Sequence, residues 1–435
     1  QDCRLVTDIF TETGLIELIV RRTEISGMLM EKLGRSVAAF DHFFLPRLHR
    51  KGYVALDVDD VEYHAQAPGG YVMEPRNGLY DHVIVLDFRS LYPSIIRTFR
   101  IDPYSLFMNA ADPITVPGGQ TFSRTEHILP GFIAELLDLR REAKQKQDDH
   151  LSMAIKILMN SFYGVMGSPG CRFYHPDLPT AITRTGQWLL LQSRAELEKR
   201  GFEVLYGDTD SLFIALRAAD LADPFQAGEL LAASMNAFWS ERIRNEYDSP
   251  SYLELEFEKY YRRFLLPPAR GCGSAKKRYA GELMYPDGHT EIQFAGMEVV
   301  RSDWTALAKD FQRELYRLVF AGLPVEEWIK SFVQALKDGQ YNEKLIYRKR
   351  LRKDVKEYVK NVPQHVRAAK MLDRPVREVR YLMTHDGPIP VQLNPANIDY
   401  EYYIEHQLKP IADTVLGALN TGFDEITKPT QLNLF

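Results

Sequence analysis

The chain has 435 residues, of which 45% are hydrophobic, and its formal net charge is −5 at pH 7. This length predicts roughly three domains, and the acidic balance excludes a protein that is basic over its whole surface, so any basic surface must be local. The three cysteines form no Cys-x-x-Cys pair, no apolar run reaches the roughly 18 residues of a membrane span, and no signal peptide is recognisable, which favours a reducing cytoplasm.

The first half of the chain alternates between helical and extended patterns. Residues 1–60 predict helices, and residues 64–81 are rich in Gly and Pro and predict a loop. The run HVIVLDF at 82–88 predicts a short buried strand. Two helical patterns at 131–147 and 151–167, separated by Asp-Asp-His, indicate an antiparallel helical hairpin.

The second half begins with a long helix at 180–201 and a strand–turn–strand at 203–216. Residues 252–267 and 277–296 predict further strands, the latter with a Pro-Asp-Gly turn. From about residue 301 the pattern becomes mainly helical and dense in Lys and Arg. This order of elements predicts an α+β fold, with a core sheet and helical appendages.

Three carboxylates stand at the ends of predicted strands. Asp87 ends the run HVIVLD, and Asp208 and Asp210 lie at the polar tip between two apolar runs. Each alone is typical of an ordinary strand end or turn. Residues i and i+2 of a strand share one face, although a turn can rotate either one. If the three converge, their repulsion requires a cation, and oxygen ligands without nearby His or Cys favour Mg²⁺.

Six stretches of the sequence together resemble family B DNA polymerases, in particular the bacterial DNA polymerase II branch. Three match the polymerase motifs in order and spacing, and the others match the linker before the palm, the DNA-contacting motif between palm and thumb, and the thumb. They are DFRSLYPSII (87–96), KILMNSFYG (156–164), YGDTDS (206–211), PGGYV (68–72), KKRYAG (276–281) and the basic segment at 347–369.

The resemblance implies a right-hand polymerase with an antiparallel-sheet palm, helical-hairpin fingers and a mainly helical thumb. It implies template-directed DNA synthesis by two-metal-ion transfer of dNTPs to a primer 3′-hydroxyl, with Mg²⁺ replaceable by Mn²⁺, in repair or translesion synthesis. The implied parts are a remnant of the exonuclease-to-palm connection at 1–60, a palm in two parts at 61–126 and 172–299, and the fingers at 127–171. The thumb, with a clamp-binding tail, is implied at 300–435.

The same resemblance assigns roles around the incoming nucleotide. Asp87 and Asp210 match the principal metal ligands, and Asp208 matches an auxiliary third carboxylate. The backbone at Ser90, Leu91 and Tyr92 would hold the triphosphate, and the Tyr92 ring would exclude a ribose 2′-hydroxyl.

On the helical hairpin, Lys156 matches the lysine that binds the triphosphate and protonates the leaving group. Asn160 and Tyr163 share its helix face. Arg140 and Lys144 match the pair that grips the γ-phosphate. By itself, Tyr92 also fits an ordinary core tyrosine, and Arg140 and Lys144 also fit a solvated helix face.

Basic and terminal segments complete the implied binding surfaces. The resemblance assigns one basic set to the primer–template duplex: Lys276, Lys277, Arg278 and Tyr279. It assigns a second set to DNA phosphates along the thumb: Lys349, Arg350 and Arg352. The ending QLNLF resembles a sliding-clamp peptide, with Gln431, Leu432, Leu434 and Phe435 as its contacts, although a short apolar end is equally typical of a disordered terminus.

Asp2 and Cys3 resemble the end of the last exonuclease motif, so we expect a chain that polymerises without proofreading, cut from a longer parent. We expect a cytoplasmic, nucleoid-associated monomer that binds primer–template DNA, dNTPs and a clamp. Two alternatives stay open: another palm polymerase such as a reverse transcriptase, and a non-catalytic DNA- or clamp-binding remnant.

Overall fold

The computed structural model describes residues 2–32, 34–62, 69–108, 110–268, 276–359 and 362–428. The chain divides into two compact units, one of residues 1–73 and 85–258 and the other of residues 74–84 and 259–435. Within the described residues, no helix combines the length and apolar character needed to cross a membrane.

The described residues of the first unit form nine α-helices. They are α1 (Asp2–Thr13), α2 (Leu15–Ser26), α3 (Ser36–Arg50), α4 (Leu91–Phe99), α5 (Pro103–Phe107), α6 (Leu129–Gln145), α7 (Asp149–Met166), α8 (Asp177–Lys199) and α9 (Pro224–Tyr247). The expected helical hairpin is present as α6 and α7, which pack together. Asp148 caps α7 by accepting a hydrogen bond from the Leu151 N–H at 2.9 Å.

The strands of the first unit form a sheet that carries the residues of interest. The strands are β1 (Gly78–Phe88), β2 (Pro113–Thr115), β3 (Thr121–Ser123), β4 (Glu203–Asp208), β5 (Ser211–Ala215) and β6 (Leu255–Leu266), of which β1 and β6 also contribute residues to the second unit. The order is β4-β5-β1-β6, and β2 pairs with β3 in a separate ribbon. The middle of β1 is apolar and buried on both faces, which explains its continuous Val-Ile-Val-Leu run.

A buried carboxylate fixes the start of α6. Asp102 accepts hydrogen bonds from the N–H groups of Ser105 at 2.8 Å, Ile128 at 3.1 Å and Leu129 at 2.5 Å. It therefore caps α5 and also holds the first turn of α6. Burial outweighs these hydrogen bonds and raises the pKa of Asp102 to about 6.

The second unit continues the chain through strands and then helices. Its further elements are β7 (Tyr279–Met284), β8 (Thr290–Ala295), β9 (Tyr347–Arg350), β10 (Glu378–Thr384), β11 (Gly387–Pro390), α10 (Ala306–Phe320), α11 (Glu326–Lys337), α12 (Gln364–Lys370), α13 (Tyr400–Tyr403), α14 (Lys409–Leu416) and α15 (Phe423–Thr427), with a π-helical turn at Ile404–Leu408. The sequence predicted strands in these segments, and in the structure β6, β7 and β8 pair antiparallel in order.

A second sheet in this unit was not anticipated. Strands β11, β10 and β9 form an antiparallel three-stranded sheet within the region that the sequence predicted as mainly helical. The pairing Arg350↔Glu378 joins segments nearly thirty residues apart, and the short basic strand β9 lacks the apolar alternation that marks a strand. Tyr347 on β9 stacks on Tyr381 of β10 with ring centroids 5.2 Å apart, which anchors the strand in the core.

Candidate active site

A cavity of about 530 Å³ lies in the first unit, where the end of β1, the start of α4, the helices α6 and α7 and the β4–β5 turn come together. This size suits a small-molecule ligand. Its lining brings together most of the nucleotide-site residues expected from the sequence: Asp87, Ser90, Leu91, Tyr92, Arg140, Lys144, Lys156, Asn160, Tyr163 and Asp210. Five further residues line it that the sequence did not predict: Phe88, Arg89, Pro93, Thr209 and Glu256.

The end of β1 and the start of α4 place a carboxylate beside a helix N-terminus. Asp87 is the next-to-last residue of β1. The turn into α4 is made by Ser90, whose φ of 51° is in the left-handed region. This conformation is costly for a residue other than glycine, and such strain is concentrated at functional sites. The first N–H groups of α4 have no acceptor within the helix, so this edge of the cavity favours an anion.

The tip between β4 and β5, which we call the hairpin tip (residues 208–211), presents a second carboxylate. Thr209 has a φ of 59°, and the Asp210 N–H donates to the Asp208 carbonyl at 2.6 Å. The Phe88 N–H donates to the Asp210 carbonyl at 2.8 Å, which ties this tip to the end of β1. Asp87 and Asp210 both line the cavity.

Asp208 differs from its two partners. The described residues that line the cavity do not include Asp208. Its Oδ1 accepts a hydrogen bond from Thr209 Oγ1 at 3.0 Å. The left-handed backbone at Thr209 breaks the two-residue repeat that would have kept Asp208 and Asp210 on one face. Accordingly, no group of three or more His, Cys, Asp or Glu side chains in the described part of the chain is arranged to hold one metal ion.

The helical hairpin supplies three cations to the cavity lining, Arg140, Lys144 and Lys156, which we call the basic wall. Arg140 and Lys144 lie one turn apart on α6, and Lys156 lies on α7. Burial, reinforced by the neighbouring positive charge of Arg89, lowers the pKa values of Arg140 and Lys144. The buried Nε of Arg140 has no hydrogen-bond acceptor among the described residues. A wall of crowded cations with an unsatisfied donor favours a multiply charged anion.

Two aromatic rings close one end of the cavity. Tyr92 of α4 and Tyr163 of α7 lie with ring centroids 4.7 Å apart and planes inclined by 46°. Burial, with smaller contributions from Tyr163 and Asp210, raises the pKa of Tyr92 to about 12, so its hydroxyl stays neutral at physiological pH. Asn160, one turn before Tyr163 on α7, lines the same space.

Sequence reasoning missed two charged residues of the cavity. Arg89 Nη1 donates to Glu254 Oε1 at 3.2 Å, and its Nε lies 4.0 Å from Glu256 Oε2. Arg89 lies inside the motif that begins at Asp87, so its position in that motif could have identified it as a residue of the site. Glu256 lies on β6 in an alternating strand, and only the position of β6 beside β1 brings it to the site.

The expected DNA-binding residues lie in the second unit, and several are engaged internally. Lys276 Nζ lies 2.7 Å from Glu74 Oε1. Arg278 Nη2 lies 2.6 Å from Glu298 Oε1, and Glu298 is almost fully buried, so this pair has a structural role. Lys277 has a φ of 60°, and Tyr279, the first residue of β7, packs against a core aromatic ring.

The basic stripe expected on the thumb lies on and after β9. Lys349 Nζ lies 3.8 Å from Asp303 Oδ2, whereas Arg350 and Arg352 are exposed to solvent. The clamp-peptide residues lie outside the described part of the chain: Gln431, Leu432, Leu434 and Phe435.

Comparison with known proteins identifies the family. A sequence profile described as DNA polymerase family B matches residues 32–386. DNA polymerase II of Escherichia coli (strain K12) is 41% identical over 454 residues, which cover 100% of this chain and 58% of that protein. The DNA polymerase of Thermococcus gorgonarius is 32% identical over 384 residues, which cover 80% of this chain and 47% of that protein.

A solved structure agrees with the sequence comparison. The family B DNA polymerase from the hyperthermophilic archaeon Pyrobaculum calidifontis matches with a TM-score of 0.67 and 26% identity, over 93% of this chain and 54% of that chain. The fold is thus the α+β, right-hand fold of polymerases. Within that class, the chain belongs to DNA polymerase family B. It spans about half the length of the curated relatives it matches, at 58% and 47% of the two named here.

Proposed function

We propose that the cavity binds a deoxynucleoside triphosphate and that the chain carries out template-directed DNA synthesis from a primer 3′-hydroxyl. The observation that supports this most is that one cavity is lined by carboxylates and by cations from different elements. Asp87 and Asp210, which we call the acidic wall, come from the end of β1 and the hairpin tip, whereas the basic wall comes from α6 and α7. A triphosphate with divalent cations carries the complementary charges for both walls.

The basic wall suits the phosphate chain. The guanidinium of Arg140 has a buried donor with no acceptor among the described residues, and a γ-phosphate oxygen would satisfy it. Lys144 lies one helical turn away and adds a second cation. Each hydrogen bond to a charged group contributes about 1.5–3 kcal/mol. The backbone N–H groups at Ser90, Leu91 and Tyr92 would hold the phosphates at the other edge.

The acidic wall suits divalent cations. Asp87 and Asp210 offer only oxygen donors, the ligands preferred by Mg²⁺ and Mn²⁺, and we propose that they hold two such ions, with Asp208 in an auxiliary role. When bound, these ions would neutralise phosphate charge and lower the pKa of the attacking hydroxyl.

In the proposed reaction, the primer 3′-oxygen bonds to the α-phosphorus while the bond from that phosphorus to the bridging oxygen breaks, and pyrophosphate leaves. The primer hydroxyl proton is lost to solvent. We assign Lys156 Nζ as the group that donates a proton to the leaving pyrophosphate, since it lies on the same wall as Arg140 and Lys144.

Tyr92 is proposed to select the sugar. Its half-buried ring lies against Tyr163 in the cavity, with the ring centroids 4.7 Å apart. A fixed ring beneath the C2′ carbon leaves no space for a 2′-hydroxyl. Asn160 and Tyr163 would contact the nucleotide from the same helix face.

The remaining proposals extend the family resemblance. The palm comprises 61–126 and 172–299, the fingers 127–171 and the thumb 300–435, with 1–60 as the connection from an upstream exonuclease. The basic residues of the second unit would hold primer–template DNA through its phosphates: Lys276, Lys277, Arg278, Lys349, Arg350 and Arg352, with Tyr279 beside them. A role in repair or translesion synthesis is proposed on the likeness to DNA polymerase II.

Primer extension tests this function. The purified chain is incubated with a labelled primer–template, all four dNTPs and MgCl₂, and product lengths are resolved by electrophoresis. Template-directed extension that disappears when EDTA replaces MgCl₂ is the expected result. If the chain binds the primer–template in a shift assay but adds no nucleotide with either MgCl₂ or MnCl₂, the proposal of catalysis is overturned and the non-catalytic alternative gains support.

A further inference from the structure

Residues 70–73, which we call the strap segment, lie across the hairpin tip. The Thr209 N–H donates to the Tyr71 carbonyl at 2.9 Å, and the Met73 N–H donates to the Gly207 carbonyl at 2.9 Å. Val72 forms a bridge pair with Asp208. The strap segment is therefore attached to the end of β4 and to the first residues of the hairpin tip, although its residues are distant from that tip in the sequence.

The contact is closest at Gly70. A Cβ atom built on Gly70 would lie 2.7 Å from Thr209 Oγ1, 2.8 Å from Thr209 Cγ2 and 3.2 Å from the Tyr92 hydroxyl oxygen. The first two distances are shorter than any real Cβ contact, and the third is tighter than most. Only a residue without a side chain fits against both groups in their present positions.

The two groups that a Cβ on Gly70 would meet are both constrained. Thr209 has a left-handed backbone, which is rare for a β-branched residue, and its hydroxyl is bonded to Asp208 Oδ1. The Tyr92 ring is confined by the Tyr163 ring, 4.7 Å away between centroids. A methyl group at residue 70 would therefore force at least one of them to move.

We propose that Gly70 is a positioning residue for sugar selection: its lack of a side chain lets the strap segment seat the Tyr92 hydroxyl where the ring excludes a ribose 2′-OH. This inference rests on the proposed function, because it requires Tyr92 to act on the sugar. Gly70 itself touches no substrate. It acts through Tyr92, whose ring position is set on one side by Tyr163 and on the other by the strap segment.

The neighbouring glycine provides a matched control. A Cβ built on Gly69 has no atom within 4 Å, so Gly69→Ala adds the same methyl group without a clash. The experiment measures kcat/KM for dCTP and for CTP in single-nucleotide incorporation opposite a template dG. The parent, Gly69→Ala, Gly70→Ala, Tyr92→Phe and the Gly70→Ala/Tyr92→Phe double variant are compared.

Gly70→Ala is expected to lower the dCTP/CTP ratio of kcat/KM by about 5- to 20-fold, since sub-ångström displacements at reacting centres have effects of that size. Gly69→Ala is expected to keep the parental ratio. In the Tyr92→Phe background the hydroxyl is gone, so Gly70→Ala is expected to lower the ratio much less, and the double-mutant cycle should show coupling.

Three outcomes would overturn the proposal: an unchanged ratio in Gly70→Ala, an equal fall in Gly69→Ala, or an equal effect of Gly70→Ala with and without the Tyr92 hydroxyl. A Gly70→Ala/Thr209→Ala variant that restores the parental ratio would assign the effect to the hairpin tip instead, and would equally count against the proposal. Different outcomes would overturn the proposed function itself. They are a parent chain that incorporates no dCTP, and a Tyr92→Ala variant that keeps the parental dCTP/CTP ratio of kcat/KM.

Discussion

The backbone N–H of Phe88 donates a hydrogen bond to the carbonyl of Asp210 at 2.8 Å. Through this contact, the end of β1 and the hairpin tip share one edge of the sheet, although they are more than a hundred residues apart in the chain. Asp87, the residue before Phe88, and Asp210 itself therefore face the same cavity. Neither carboxylate alone would suggest a site, because an acidic residue at a strand end is ordinary.

The basic wall predicts a specific loss of nucleotide affinity. Arg140→Ala should raise KM for dNTPs by about 10- to 100-fold, since a charge-assisted hydrogen bond to phosphate contributes about 1.5–3 kcal/mol. Steady-state kinetics at fixed primer–template concentration measures this. Arg141→Ala is the matched control, because Arg141 is on the same helix, is 75% exposed and pairs with Asp138. A similar rise in KM for both variants would contradict the assignment.

The aromatic end of the cavity predicts the basis of sugar selection. Tyr92→Ala should lower the preference for dNTP over rNTP by about 10²-fold or more, because the ring's steric exclusion is lost. Tyr92→Phe keeps the ring and should keep most of the preference. Competition between dCTP and CTP on one template gives the ratio directly. If Tyr92→Ala discriminates as the parent does, Tyr92 has no role in selection.

Asp102 predicts a pH dependence of stability. Its pKa is raised to about 6 from an ordinary value of 3.8, so the folded state binds the proton more tightly than the unfolded state. The stabilising contribution is fully present below about pH 4 and is lost as the pH rises through about 6. A shift of this size corresponds to at most about 3 kcal/mol.

Urea unfolding of the parent and of Asp102→Asn at several pH values between about 4 and 7 tests this. The asparagine cannot ionise, and its single oxygen replaces only one of the two that accept the N–H groups at α5 and α6, so the variant is expected to be less stable by an amount that does not itself depend on pH. The difference in free energy of unfolding, parent minus variant, should fall across that range. A difference that is independent of pH would show that Asp102 does not titrate there.

The C-terminal peptide predicts a separable effect on processivity. Deletion of residues 431–435 should remove stimulation by a bacterial sliding clamp and leave distributive synthesis unchanged, because the peptide would act by raising the effective concentration of the enzyme on DNA. Product lengths with and without loaded clamp measure both quantities. Equal loss of clamp-stimulated and distributive synthesis would contradict a role confined to clamp binding.

The local elements were predictable because their signals are local. The apolar run before Asp87 predicted the buried part of β1, and the paired helical patterns predicted α6 and α7. The approach of Asp87 to Asp210 followed from placing strand ends together and from the family resemblance.

The features that the sequence did not predict depend on non-local pairing or on single backbone torsions. Glu256 reaches the cavity only because β6 lies beside β1. Asp208 is kept off the cavity lining by the left-handed backbone of Thr209. The sequence does not indicate this conformation, because Thr209 is a β-branched residue. The basic strand β9 has no alternating apolar pattern, so its sheet required the partner β10 to be known.

The central claim is that Asp87 and Asp210 form the acidic half of a nucleotidyl-transfer site, and one measurement tests it most directly. The single-turnover rate of dNTP incorporation is measured for the parent, Asp210→Ala and the exposed control Asp59→Ala, with primer–template binding measured in parallel. We predict that Asp210→Ala loses at least roughly 10²–10³-fold in rate while still binding DNA, and that Asp59→Ala keeps the parental rate. Incorporation by Asp210→Ala at the parental rate would contradict the account.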